Sequence, residues 1–179
     1  MTEAANAYGQ ALYDLAKDEG LAESILAQLL MLEDSFAKEP AFLQLLQSAN
    51  LSKQERCSII DDSFKEKLHD YVVNFLKILT ERNYARHFSG CVQAYRRQYN
   101  LDNNILPVTA VSAVALTKEQ TEKLSEKLAA ITGKKIDLTN RVDPGVLGGI
   151  RLDYDGKRLD DTVSNRLDAV RAALRNTVL

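Results

Sequence analysis

The sequence predicts a mainly α-helical protein, with an N-terminal bundle of six helices over residues 1–104 and a small α/β domain over residues 105–179. Over the first hundred residues, apolar side chains recur with the spacing of amphipathic helices. Around Asn103 and Asn104 the repeat changes to the alternation that is typical of strands. The composition, 45% hydrophobic and 27% charged with three prolines, is typical of a folded globular chain.

The first two helices are predicted from apolar stripes. Tyr8, Leu12 and Leu15 recur at i, i+4 and i+7, and Gly20 follows as a natural helix end. The second helix is predicted over residues 21–36. Its stripe consists of Ile25, Leu29, Leu32 and Phe36.

The next helices are predicted from their N-terminal signals. Pro40 occupies the favoured first position of a short helix that runs through residue 47. Ser52 and Glu55 form a capping box, in which each side chain accepts the other residue's free backbone N–H. The last two helices are predicted over residues 70–81 and 84–99. Helices of this length are marginal alone in water, so we expect them to pack as antiparallel neighbours.

The second domain is predicted to alternate strands and helices. Residues 105–114 are rich in β-branched side chains and indicate a strand. Thr117 and Gln120 form a second capping box, and Gly133 ends the helix that they begin. The apolar face of this helix is predicted to consist of Leu124, Leu128 and Ile131.

The remaining strands and the last helix follow from the same patterns. Asp155 and Gly156 form a two-residue hairpin signal that returns the chain through residues 157–160, ending at Asp160. Two strands are predicted before this turn, one from Ile136, Leu138 and Val142 and one from Val146, Ile150, Leu152 and Tyr154. A final helix is predicted from Val163, Leu167, Val170 and Leu174.

Charge and targeting signals exclude several classes of function. The net charge is −2 and the longest basic clusters are only Arg96-Arg97 and Lys134-Lys135, so we expect no nucleic-acid partner. Glu3 and Asp14 lie where a secretory or transit peptide would not tolerate them, and no stretch has eighteen uninterrupted apolar residues. We therefore expect a cytosolic protein without direct membrane insertion, which could still dock onto a membrane complex.

The residues that could carry metal or nucleophilic chemistry are poorly placed for it. Cys57 and Cys91 have no C-x-x-C spacing, and His69 and His87 have no partner at i+4, so we predict no metal site. An EF-hand alignment on Gly156 places Asp153 and Asp155 correctly but puts Arg151 first and Thr162 twelfth, which removes two ligands. "TGKK" at 132–135 lacks the other residues of a phosphate loop and indicates a helix end.

Gly148 and Gly149 interrupt a predicted strand, which each glycine weakens by roughly 0.5–1 kcal/mol relative to alanine. Such a pair is tolerated where a bulge or a close backbone approach compensates. We favour close packing of the last helix over a phosphate or cofactor cradle, because phosphate loops begin helices and this pair continues into a strand. No catalytic residue and no cofactor is predicted.

Five stretches resemble the δ subunit of F-type ATP synthases, equivalent to the mitochondrial oligomycin-sensitivity-conferring protein. They are "AYGQALYDLA" (7–16), "LKILTERNYA" (76–85), "TAVSAVALTKEQ" (109–120), "TGKKIDLTNRVDPGVLGGIRL" (132–152) and "LDDTVSNRLDAVRAAL" (159–174). The chain departs from the family at Asp161, Thr162 and Ser164, where glycine, serine and arginine are common.

The resemblance implies a six-helix amino-terminal bundle, a smaller carboxy-terminal α/β domain and a role without catalysis. Such subunits bind the amino-terminal helices of the α subunits on top of the catalytic head and join them to the carboxy-terminal ends of the b-subunit stalk. They form part of the stator, which couples proton transport to ATP synthesis. The expected location is peripheral, on the cytoplasmic side of a bacterial cell membrane.

For the head contact we predict a groove between the first helix and the helix at 70–81, in which an amphipathic partner helix lays its apolar face. The alanines would permit a close backbone approach and the larger side chains would give contact area. The predicted contact residues are Ala4, Ala7, Tyr8, Ala11, Leu15, Leu76 and Leu79. The alternative is that these residues fill the bundle core.

Two other functions are compatible with the residues. A generic helical adaptor that binds an amphipathic helix would share the bundle but would not co-purify with an ATPase. A small phosphate-binding enzyme built on Gly148 and Gly149 would be stabilised by ATP or phosphate.

Overall fold

A computed structural model describes residues 2–48, 50–146, 148–163 and 165. Within these residues the chain is mainly helical, with a four-stranded sheet in its second half. It divides after Tyr99 into two compact units, whereas the sequence places the boundary after residue 104.

Six α-helices precede the sheet in the described part of the chain. They are α1 (Glu3–Asp18), α2 (Ala22–Lys38), α3 (Pro40–Leu46), α4 (Lys53–Phe64), α5 (Asp70–Glu81) and α6 (Phe88–Asp102). The predicted limits of α5 are confirmed. The predicted start of the last helix at residue 84 is wrong, because a 3₁₀ turn, Ala85–His87, comes before α6.

The first predicted capping box is present at the start of α4. Ser52 Oγ accepts a hydrogen bond from the Glu55 backbone N–H at 3.2 Å, and Glu55 Oε2 accepts one from the Ser52 N–H at 2.7 Å. These bonds satisfy backbone donors that have no partner within the helix. At the start of α5, His69 caps the helix, since its Nδ1 accepts a hydrogen bond from the Tyr71 N–H at 3.2 Å.

The core of the first unit is built around the stripe that the sequence predicts for α2. All four of its residues are buried: Ile25, Leu29, Leu32 and Phe36. The ring of Phe36 contacts those of Phe42, Phe64 and Phe88, with centroids 5.6, 6.3 and 5.2 Å away. Four helices, α2, α3, α4 and α6, therefore meet at one aromatic cluster.

The predicted apolar stripe of α1 is wrong by about one residue. Its buried face is Ala5, Gly9, Leu12, Tyr13 and Ala16. Of the predicted stripe only Leu12 is fully buried, while Tyr8 is half-buried and Leu15 is 44% exposed. A Cβ at Gly9 would lie 2.3 Å from the carbonyl oxygen of Cys91, so α1 and α6 meet backbone to backbone.

Arg56 is the one charged residue among the fully buried residues that the structure describes. Its Nη1 donates to the Leu46 carbonyl oxygen and to Asn83 Oδ1, both at 3.0 Å. These acceptors lie at the ends of α3 and α5, where the helix dipoles place partial negative charge. Arg56 therefore ties α4 to the ends of two neighbouring helices.

The second unit contains a mixed sheet with strand order β2-β1-β3-β4. The strands are β1 (Ile105–Ser112), β2 (Lys135–Val142), β3 (Ile150–Tyr154) and β4 (Lys157–Asp160). β1 and β2 are parallel, and the other neighbours are antiparallel. The alternating pattern predicts that Val146 belongs to β3, but it lies in a 3₁₀ turn, Pro144–Val146, where it is buried. Its apolar signal reflects burial in a turn.

The crossover between β1 and β2 is helix α7 (Lys118–Thr132). The predicted capping box is confirmed, with Thr117 Oγ1 accepting from the Gln120 N–H and Gln120 Oε1 from the Thr117 N–H. Gly133 ends the helix with a φ of +67°. The predicted apolar face is correct only in part, because Ile131 is 81% exposed while Leu124 and Leu128 are half-buried.

The hairpin between β3 and β4 has the two-residue turn that the sequence predicts. Asp155 and Gly156 have φ values of +46° and +71°, which is the pattern of a type I′ turn. The strand register places seven apolar side chains on one face of the sheet: Leu106, Val108, Ala110, Ile136, Leu138, Leu152 and Tyr154. Of the last predicted helix, Leu167, Val170 and Leu174 lie outside the described residues.

Candidate functional site

The predicted partner surface on α1 lies open to solvent. Ala4, Ala7 and Ala11 are exposed, and Leu15 extends the same side of the helix. The opposite side of α1 is the buried face that packs against the core. The helix therefore carries an exposed apolar strip in addition to its buried face.

Tyr8 lies at the border between these two sides of α1. It is half-buried, and its ring centroid is 5.8 Å from that of Tyr84. Thr2 Oγ1 and the Tyr84 hydroxyl are 2.8 Å apart, within hydrogen-bond distance. These contacts hold the first half of α1 against the segment that leads into α6.

The structure places the two predicted α5 residues in the core. Leu76 and Leu79 are 1% and 0% exposed, so they hold α5 in the first unit and offer no surface to a partner. The exposed apolar side chain of α5 is Ile78, at 46% exposure, which the sequence reasoning missed. The apolar pattern of the sequence does not separate Ile78 from the buried Leu76 and Leu79.

We call the exposed apolar set on these two packed helices the α1–α5 surface. It consists of Ala4, Ala7, Ala11, Leu15 and Ile78, with the half-buried Tyr8. The small side chains leave the α1 backbone accessible, and the larger ones supply contact area. Such a surface can bind the apolar face of another helix.

The glycine pair lies against the chain's own backbone. Gly149 has a φ of +81°, and a Cβ there would lie 2.5 Å from the Asp161 carbonyl oxygen. The Gly148 carbonyl accepts a hydrogen bond from the Val163 N–H at 3.0 Å. The space beside Gly149 is thus filled by the backbone of Asp161 and Thr162, which supports close packing over a phosphate cradle. Most of the helix that the sequence predicts to pack there lies outside the described residues.

Asp160 organises this segment. Its Oδ1 accepts hydrogen bonds from the Thr162 hydroxyl at 2.6 Å and from the Thr162 N–H at 3.1 Å, and these bonds hold the pKa of Asp160 below its usual range. Thr162 Oγ1 in turn accepts from the Asn165 N–H at 3.2 Å, which is the geometry of a helix cap. Asp160 and Thr162 therefore position the chain that covers the glycines.

Asp153 and Asp155 have structural roles. Asp153 accepts a hydrogen bond from Arg158 at 2.8 Å, and this bond lowers the pKa of Asp153. Asp155 occupies the left-handed turn position. Within the described ranges, no three His, Cys, Asp or Glu residues are grouped so that they could hold a metal ion.

The cysteines and histidines also have ordinary surroundings. Cys57 and Cys91 are both free thiols, and burial raises the pKa of Cys91 to about 11. His69 is the α5 cap, and His87 Nε2 accepts a hydrogen bond from Arg86 Nε at 3.0 Å.

The second unit has an open depression between α7 and β2. Its lining consists of Thr121, Glu122, Ser125, Glu126, Ile136 and Leu138. The two apolar residues belong to β2 and are half-buried, so the edge of the sheet is incompletely covered here. Among the described helices, none has the length and apolar character needed to span a bilayer.

Comparison with known proteins identifies the fold first. A chain of the cryo-EM structure of the Toxoplasma gondii mitochondrial ATP synthase hexamer superposes with a TM-score of 0.77, covering 97% of this chain and 98% of that one at 17% identity. The protein therefore has the fold of a chain found in an ATP synthase.

The family follows from the sequence comparison. The model of the ATP synthase delta (OSCP) subunit family matches residues 4–174, and the chain belongs to this family. A relative named ATP synthase subunit delta from Clostridioides difficile (strain 630) is 27% identical over 97% of both chains. Another of that name, from Lactobacillus acidophilus, is 31% identical over 96% of this chain and 94% of its own length. Membership implies a structural subunit of the peripheral stalk of an F-type ATP synthase.

Proposed function

We propose that the protein is a stator link that joins the amino-terminal helices of the α subunits to the carboxy-terminal ends of the b-subunit stalk. It stops the catalytic head from turning with the rotor, so that proton-driven rotation is coupled to ATP synthesis. It acts at the cytoplasmic side of a bacterial cell membrane, as a peripheral component. A link of this kind requires slow dissociation from two partners and no reacting group.

The α1–α5 surface supports the head contact. Ala4, Ala7, Ala11 and Leu15 line one side of α1, and large apolar patches on protein surfaces commonly bind partners. Ala4, Ala7 and Ala11 are exposed although the other side of α1 already supplies the core contact. The core of the first unit does not cover the exposed alanines of α1. An amphipathic partner helix would cover them.

Substitution of Ala7 or Ala11 by glutamate tests the head contact. Both residues are exposed, so Ala7→Glu and Ala11→Glu should leave the protein folded. The carboxylate would be buried without a partner in the complex, and we expect binding of an α-subunit amino-terminal peptide to be lost. Titration calorimetry measures the binding, and circular dichroism checks the fold.

Gln10→Glu is the matched control, because Gln10 is exposed on α1 beside the alanines but outside the apolar set. It adds the same charge without placing it in the contact. Wild-type affinity in Ala7→Glu would contradict the proposed head contact.

For the stalk contact we propose the second unit, at the depression between α7 and β2. Ile136 and Leu138 leave apolar area uncovered there, and Ser125 lines the helical side. A helix end of the b subunit would cover these side chains.

A bulky substitution on α7 tests this assignment. Ser125→Arg fills the depression, whereas Ala130→Arg places the same side chain on an exposed position of the same helix. In a pull-down from detergent-solubilised membranes, we expect Ser125→Arg to lose the b subunit and retain the head. Equal recovery of the b subunit with both variants would overturn the placement.

A further inference from the structure

The first fifty residues are strongly acidic. They contain eight acidic residues against only Lys17 and Lys38: Glu3, Asp14, Asp18, Glu19, Glu23, Glu33, Asp34 and Glu39. Lys38 is paired with Asp34 at 2.6 Å, and Lys17 lies over the ring of Tyr13, 6.0 Å from its centroid. The excess of negative charge is therefore carried by α1, α2 and the residues that directly follow them.

Part of this charge borders the α1–α5 surface. Asp14 and Asp18 continue the side of α1 that carries Ala7 and Ala11, because residues three, four and seven positions apart share a helix face. Both are exposed, as is Glu3 at the other end of the same side. The alanine strip thus runs between acidic side chains.

Helix α5 also carries exposed acidic side chains. Asp70 and Glu81, at the two ends of α5, are exposed. On α5, Lys77 pairs with Asp61 at 2.5 Å, and the exposed cation nearest in sequence to Ile78 is Arg82. Acidic groups outnumber basic ones on both helices.

We propose that the α1–α5 surface selects a basic amphipathic helix, with an apolar stripe flanked by lysine or arginine. This inference rests on the proposed head contact and specifies the chemistry of the α-subunit segment that makes it. The apolar strip accepts the stripe of the partner helix, and the acidic border pairs with its flanking cations. An acidic helix with the same stripe would be repelled.

The electrostatic part of this selection has a kinetic signature. Charges at the rim of an interface mainly change the association rate and its dependence on salt, while the buried apolar contact controls dissociation. Because exposed charges are screened over about 8–10 Å at ordinary ionic strength, added salt should slow association.

The test measures association and dissociation rates of the full chain with the amino-terminal peptide of the α subunit from the same complex. The double variant Asp14→Asn/Asp18→Asn is compared with Asp62→Asn/Glu66→Gln, which also removes two exposed negative charges but lies on and just after α4. We expect roughly fivefold weaker binding for the first pair, mostly in the association rate, and wild-type binding for the second.

Salt dependence of the unmodified chain gives a second readout that does not depend on any variant. Raising NaCl from about 0.05 M to about 0.5 M should slow association several-fold. A salt-independent rate together with wild-type binding of Asp14→Asn/Asp18→Asn would overturn the inference, as would an α-subunit segment without lysine or arginine beside its apolar stripe.

The same assay separates this inference from the proposed function. If Ala7→Glu loses binding and Asp14→Asn/Asp18→Asn does not, the head contact stands and only the charge selection is contradicted. Wild-type binding in Ala7→Glu removes the head contact and the charge selection with it.

Discussion

Gly9 sets the distance between α1 and α6. A Cβ at this position would lie 2.3 Å from the Cys91 carbonyl oxygen and 2.7 Å from the Ala94 Cβ. Neither neighbour is a flexible side-chain end, so added volume must separate the two helices. The absence of a side chain at Gly9 therefore allows the close contact that buries one side of α1.

Gly9→Ala is expected to destabilise the protein by about 1–3 kcal/mol, the usual range for overpacking a close contact. The sign of this change is informative, because alanine stabilises a helix by about 1 kcal/mol relative to glycine when no contact interferes. Urea unfolding measures the change, with Gln10→Ala on the exposed side as the control. A more stable Gly9→Ala would contradict the close approach of the helices.

The two cysteines should differ in reactivity. Cys91 is 1% exposed and burial raises its pKa to about 11, so thiolate is scarce at neutral pH. Cys57 is partly exposed, although burial and Glu81 also raise its pKa. We expect one thiol to react slowly with a disulfide reagent in the folded protein and the second only after unfolding. In Cys57→Ser no native thiol should react, and rapid reaction of Cys91 would contradict its burial.

Helix ends and turns are predicted well when the residues that form them lie close together in the sequence. The capping boxes at Ser52 and Thr117 involve residues three positions apart, so the sequence contains the whole motif. The Asp155-Gly156 turn is local in the same sense, because both residues tolerate the left-handed conformation that the hairpin requires. These features are predicted correctly from residue types alone.

Features that depend on a neighbouring helix are predicted less well. The buried face of α1 consists largely of small residues, which give little apolar signal, and it is selected by the close approach of α6 at Gly9. The partner surface shows the same limit. Leu76 and Leu79 are buried while Ile78 is exposed, and the apolar pattern of α5 does not distinguish them.

The glycine pair before β3 gives a prediction at this scale. Gly149 combines a φ of +81° with a Cβ position 2.5 Å from the Asp161 carbonyl oxygen, so Gly149→Ala is strained by conformation and by contact. Gly156 has a similar φ of +71°, but no described atom apart from those of its chain neighbours lies within 4 Å of the position that a Cβ would occupy. Asparagine tolerates a positive φ, so Gly156→Asn should fit this turn.

We expect Gly149→Ala to lower the stability of the second unit by about 2 kcal/mol or more, and Gly156→Asn to change it by less than about 1 kcal/mol. Hydrogen exchange of the β1 and β3 amides reports the change locally. Equal protection in the two variants would argue against close packing at Gly149.

At the scale of the whole molecule, stability depends on pH through carboxylates whose pKa values are lowered, and the described part of the chain has three of them. The pKa values of Glu55, Asp153 and Asp160 are lowered by hydrogen bonds from Ser52, Arg158 and Thr162, respectively. A group whose pKa is lower in the folded state stabilises that state fully above its unfolded value, near pH 4. This stabilisation is lost as the pH falls through the folded values.

We therefore expect the urea midpoint to be constant from about pH 7 to about pH 5 and to fall below that. Asp160→Asn should reduce the fall, because it removes one of the groups that titrate. A midpoint that rises on acidification would contradict the lowered pKa values.

Arg56 leads to a different expectation for the first unit in acid. Its hydrogen bonds run to a main-chain carbonyl and a side-chain amide, and neither acceptor is a carboxylate. The junction of α3, α4 and α5 therefore does not depend on an ionised carboxylate at this point. When acid weakens the hydrogen bonds of Glu55, Asp153 and Asp160, the two hydrogen bonds of Arg56 should persist and keep α4 tied to the ends of α3 and α5.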